Sequence, residues 1–118
     1  MGERYIFSMN DTNPIAFEAA LTLFLVKVQG MVDTYFAANF PNSKPPRIEA
    51  CEGGVKYVRI VQVETVGSGC SAWAFVERAT GNVLKPDGFK RPAKHSRGNI
   101  YNENPLAGMG PHGPGYLR

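Results

Sequence analysis

At 118 residues, 43% hydrophobic and 19% charged, the chain is long enough for one folded core and too apolar for wholesale disorder. Its net charge of +3 excludes a polycation that would coat nucleic acid with its whole surface. Two cysteines, Cys51 and Cys70, are too few for a disulfide scaffold, and both are expected as reduced core thiols, with a single bridge as the alternative.

Residues 1–12 read as a leading segment, with a short strand at Tyr5-Ile6-Phe7. No apolar run follows Met1-Gly2-Glu3-Arg4-Tyr5, so no secretion signal is expected, and Ile6 stands where a myristoylation motif needs Ser or Thr. Asn13 suits an N-cap and Pro14 the first helical position, where a missing N–H costs nothing. From there Phe17, Leu21, Phe24, Val28, Met31 and Tyr35 recur at helical spacing, widened by Leu25, Val32 and Phe36. A helix over Pro14–Asn39 follows, stopped by Pro41. Glu18, Lys27 and Asp33 interrupt it, so it is not a membrane span and no membrane partner is expected. Its heptad-like stripe is compatible with a homo-oligomer, but it lacks ordered flanking charges and is better explained as a core helix covering a sheet.

The middle of the chain is β. Arg47–Glu52, Val55–Val66, Cys70–Arg78 and Val83–Lys85 are rich in strand formers, and Gly53-Gly54, Gly67-Ser68-Gly69 and Ala79-Thr80-Gly81-Asn82 stand between them as turns. In the second strand both parities are apolar, which predicts a bulge or burial on two sides. In the third, Ala72, Ala74 and Val76 are expected on one face, Trp73 and Phe75 on the other. After Pro86 the composition changes: Pro92, Pro105, Pro111, Pro114 and six glycines between Gly88 and Gly115 argue against a long helix or a central strand. Phe89, Ile100, Tyr101, Leu106, Met109, Tyr116 and Leu117 are too many apolar residues for a disordered tail, so the tail should dock on the domain or a partner. The fold class is therefore α+β: one long helix on a three- to four-stranded antiparallel meander spanning 13–86, then an irregular basic C-terminal arm over 87–118.

That arm carries the functional signal. Lys85, Lys90, Arg91, Lys94 and Arg97 face only Asp87 in the same stretch, a balance of +4 that leaves −1 for the rest of the chain. Lysine supplies a point charge and arginine a fork that grips two oxygens, and His95 and the N–H groups of Gly98 and Asn99 add donors, a set suited to phosphate. Phe89 or Trp73 would stack on an unpaired base. The bland readings are a solvated basic loop, and for Trp73 a core residue. An acidic protein surface or a small phosphorylated ligand would use the same charges.

Other chemistry is poorly supported. Cys51, Cys70, His95 and His112 are separated by 18, 24 and 16 residues, with no close pair of the kind a zinc site uses, so no metal or other cofactor is expected. Gly67-Ser68-Gly69 lacks the length and lysine of a phosphate-cradling P-loop. No acid–base constellation can be assembled, no catalytic residue is assigned, and enzyme activity is the weaker reading.

The turn Phe75-Val76-Glu77-Arg78-Ala79-Thr80-Gly81-Asn82 continuing into Val83-Leu84-Lys85, then Phe89-Lys90-Arg91-Pro92-Ala93-Lys94-His95-Ser96-Arg97-Gly98-Asn99-Ile100 and the closing Gly115-Tyr116-Leu117-Arg118, resemble a group of small uncharacterised proteins of tailed bacteriophages. The resemblance covers about the last 45 residues and leaves out the helix. It implies a viral protein of the bacterial cytoplasm or the virion, and brings no established activity or site residue.

Overall fold

The computed structural model describes residues 14–51, 54–64, 69–89 and 91–114. The Asn13 cap, the Tyr5-Ile6-Phe7 strand, Gly53, Gly67-Ser68, Lys90 and the closing Gly115–Arg118 lie outside them.

Helix α1 spans Pro14–Asn39, as the sequence pattern predicts. Phe17, Leu21, Phe24, Val28 and Val32 form its buried line, each contributing about 1.5–3 kcal/mol by leaving water. Met31 and Tyr35, expected on that line, are only half-buried. Successive steps of four let the contact line drift around a 3.6-residue helix, from the Met31 position to Val32. The last turn is closed by the Phe40 N–H on Phe36 O (2.7 Å), and Asn39 Nδ2 donates to Tyr35 O (2.9 Å). Among the described residues no helix is long and apolar enough to cross a membrane.

The chain then folds into one antiparallel sheet. Its strands are β1 (Arg47–Cys51), β2 (Tyr57–Val63), β3 (Cys70–Glu77), β4 (Asn82–Pro86) and β5 (Pro92–Asn99), in the spatial order β1-β2-β3-β4-β5. A meander of this kind needs something to cover its apolar face. The helix covers one face, packing on Ile48, Val58, Ile60, Ala74, Val76 and Val83. Gln29 ties helix to sheet: its Nε2 donates to Pro46 O (2.9 Å) and its Oε1 accepts from the Ile48 N–H (2.8 Å).

Between β2 and β3 the register shifts: Ile60 faces Ala74, but Val61 faces Ala72. Trp73 is the extra residue of a β-bulge. Ile60 belongs to the core under the helix and its neighbour Val61, by strand alternation on the opposite face, is also buried, at 0% and 2% exposure, so β2 is buried on two sides. The bulge overturns the simple alternation in β3. Trp73 joins Ala74 and Val76 in the core under the helix, in edge contact with Phe24 (6.4 Å), and Phe75 is left on the opposite face. The indole N–H donates to Pro111 O (3.1 Å).

The segment expected as an irregular arm is a fifth strand. Asp87 N donates to Arg91 O (2.8 Å) to close the β4–β5 hairpin, and Val83 pairs with Gly98, Leu84 with Ser96 and Pro86 with Pro92. Pro92 is tolerated because it opens a strand at the sheet's edge, where a missing N–H breaks no inner ladder. Residues 100–114 then fold back over the helix side. Ile100 is buried, Leu106 and Met109 pack on the core, and the short pair β6 (Met109–Gly110) and β7 (Gly113–Pro114) lies against β3 and β4. The docking expected of the tail is seen over this stretch.

Both cysteines are free thiols, but Cys70 is exposed, not part of the core, and Cys51 is only half-buried. They sit on β1 and β3 with β2 between, Cys51 level with Arg59 and Cys70 level with Val63, so two strand spacings and four residues along the strand separate them by about 16 Å, beyond the reach of a bridge.

Candidate functional site

The helix covers one face of the five-stranded sheet. On the other face Arg59 of β2 stands opposite Phe75 of β3, and Phe75 opposite Leu84 of β4; Phe75 and Leu84 are buried there, at 3% and 6% exposure. Tyr57 meets the Phe75 ring edge-on (6.4 Å). The β4–β5 hairpin brings Phe89 onto this face, so that the Arg59 guanidinium carbon lies 4.6 Å from the Phe89 ring centre and 5.9 Å from that of Phe75. The result is a ring–guanidinium–ring stack, of a kind worth about 0.5–2 kcal/mol per contact depending on desolvation. Phe89 remains 43% exposed. The Arg59 Nε is fully buried and has no hydrogen-bond partner. Beside the stack lies a shallow cleft of about 360 Å³ lined by Cys70, Ser71, Ala72, Pro86, Gly88 and Phe89.

The structure sorts the expected phosphate ligands into groups. Arg91 is on the hairpin, largely exposed, 3.6 Å from the exposed carboxylate of Asp87; such a surface pair is worth little. Lys94 and His95 are exposed on β5. Arg97 is half-exposed and its Nη1 donates to His95 O (3.0 Å). Lys94 and Arg97 are three residues apart on β5, with Arg97 at the register shift between the Val83–Gly98 and Leu84–Ser96 pairs. Lys90, between Phe89 and Arg91, is outside the described residues.

Four expected features are committed elsewhere. Lys85 reaches Pro114 O with its Nζ (3.4 Å) and so leans toward the C-terminal loop, away from the hairpin. Asn99 is a structural clamp: its Nδ2 donates to Thr80 O and to Asn82 Oδ1, both at 2.9 Å, and its Oδ1 accepts from the Tyr101 N–H at 2.8 Å. The Gly98 N–H is directed at Ser96 Oγ (3.3 Å) and is no open donor. Trp73, at 2% exposure and packed on Phe24, presents no ring face to a base, so its stacking role is withdrawn.

Arg59 was not among the expected residues. Its signal was present: it is the one charge in the apolar strand Tyr57-Val58-Arg59-Ile60-Val61, on the parity opposite Val58 and Ile60. Phe89 as its partner was not readable, because that contact spans the sheet. Among the described residues no group of three or more His, Cys, Asp or Glu side chains could hold a metal ion.

Fold and site together define a small α+β protein with a helix on one face of its sheet, an aromatic–arginine stack on the other and a basic edge strand. The chain belongs to the family of unknown function DUF7717, whose model matches residues 27–109. The match takes in the second half of α1 and all five strands, reaching well before the Phe75–Asn99 region that carried the resemblance, and ends before Gly115-Tyr116-Leu117-Arg118. No curated protein and no solved structure matches the chain.

Proposed function

We propose that this chain is a small non-enzymatic binding protein of bacteriophage type that takes nucleic acid, or another phosphate-bearing ligand, along the β4–β5 hairpin and the edge strand β5. The observation that carries the reading is the basic run of exposed Arg91 and Lys94 and half-exposed Arg97 at the rim of the sheet, next to an exposed aromatic, Phe89. An extended row of cations follows a phosphate backbone without needing a pocket. The phage resemblance adds the setting: the host cytoplasm during infection, or the particle.

A second reading has its own support. β5 is the terminal strand of the sheet, and Pro92, Lys94, Arg97 and two register shifts are the features that keep edge strands from pairing indiscriminately. On that account the charges guard the edge and admit an acidic protein partner, such as a host enzyme or a virion component.

Fluorescence anisotropy with labelled single-stranded DNA, duplex DNA and RNA over a salt series separates the two. Wild type should bind with affinity falling steeply as salt rises, with a log–log slope of about −3 on single strands when four cations are engaged. The Lys90/Arg91/Lys94/Arg97→Ala variant, shown to be folded by circular dichroism, should lose both the affinity and the slope. Absence of binding by wild type at low salt would sink the nucleic-acid reading and leave the acidic-partner one.

A further inference from the structure

We infer that the nucleic acid taken at this site is single-stranded, with an unpaired base stacked on Phe89 and anchored by Arg59. The inference rests on the nucleic-acid reading above and names its substrate form.

A base stacks on an aromatic ring only when both offer a face. Phe89 is 43% exposed, although the Arg59 guanidinium already lies against one side of its ring. The ring is thus backed by a cation and open outward, the arrangement of a stacking platform. Phe75, from the neighbouring strand, holds the guanidinium from below. Arg59 itself is poorly explained as a structural residue. Its Nε is buried without a partner, and no carboxylate pairs with it among the described residues. A buried polar atom left unpaired is unfavourable. A phosphate oxygen arriving beside the stack would bring a counter-charge to the guanidinium, while the base lies on the outer face of the Phe89 ring.

The surroundings fit one base and a backbone. The cleft against Phe89, about 360 Å³ and walled by small groups at Ser71, Ala72 and Gly88, is open and shallow. Arg91 and Lys94 continue the positive track along the same hairpin and strand. A duplex would meet only the charges, because its base faces are stacked inside. RNA and DNA single strands share the chemistry that the site reads, and the experiment contains both.

The test compares labelled oligo(dT), oligo(U) and a hairpin duplex of matched charge against wild type, Phe89→Ala, Phe89→Trp and Arg59→Lys, each checked for fold by circular dichroism and thermal unfolding. Wild type should favour the single strands over the duplex. Phe89→Ala should weaken single-strand binding by roughly fivefold to a hundredfold and leave duplex affinity and the salt slope in place. Phe89→Trp should restore or exceed wild-type affinity, which a merely structural Phe89 would not do. Arg59→Lys, which keeps the charge and removes the planar fork, should weaken single-strand binding alone. Equal or better binding of the duplex, unaffected by Phe89→Ala, would overturn this inference while leaving the basic edge as a phosphate site. Absence of binding to all three probes would overturn the nucleic-acid reading and this inference together.

Discussion

At the scale of single residues, stability depends on a few positions with no freedom to change. Gly81 closes the β3–β4 turn at φ +79°, is buried, and has the Tyr101 ring 2.5 Å from where a Cβ would stand. Gly81→Ala should therefore cost about 1–3 kcal/mol, read as a lower urea midpoint with unchanged slope. Gln29 is the other such position. Gln29→Ala leaves Pro46 O and the Ile48 N–H without their partner, a loss of about 1–3 kcal/mol by the same measurement. Gly81 was legible as a turn residue from Ala79-Thr80-Gly81-Asn82 alone. The roles of Gln29 and Asn99 were not, since each bonds to backbone 17 to 19 residues away in sequence. Asn99 shows the difficulty well: an amide in a basic run looks like a ligand donor until its hydrogen bonds are found to be spent on the turn.

At the scale of elements, α1 was readable to its ends because period, proline placement and length agree. Its one weak position is Gly30, exposed, with nothing within 4 Å of an added Cβ. Gly30→Ala should raise stability by about 0.5–1 kcal/mol, visible as a higher thermal midpoint. β3 was misread by one feature, the bulge at Trp73, which sequence alternation cannot reveal because the extra residue depends on the partner strand's register. β5 was missed for a different reason. Pro92, Lys94, His95, Ser96, Arg97 and Gly98 have neither alternation nor β-branched side chains, and the strand exists because β4 supplies a template. An edge strand held by so little packing should open before the rest of the sheet. Amide exchange of the described β5 residues is expected to outpace that of β2 and β3; equal protection across the sheet would contradict this.

At the scale of the whole molecule, the two faces of the sheet have different work. One is covered by α1 and the 100–114 loop, with Trp73 and Val28 at its centre. The other carries an arginine between two rings beside a basic rim. The family match spans this sheet whole, from Lys27 to Met109. Composition located the positive charge, but it could not say that the charge would be laid out along an edge, nor that Phe89 would fold back onto Arg59, because both follow from the β4–β5 hairpin. The central claim is that this hairpin and the Arg59–Phe89 stack are where nucleic acid sits. Amide and Arg side-chain chemical-shift perturbation on titrating the labelled protein with a short single strand tests it most directly. The account predicts shifts concentrated at Asp87–Arg97 and at the Arg59 Nε–H, with α1 unmoved. Shifts confined to the helix, or none at low salt, would contradict it.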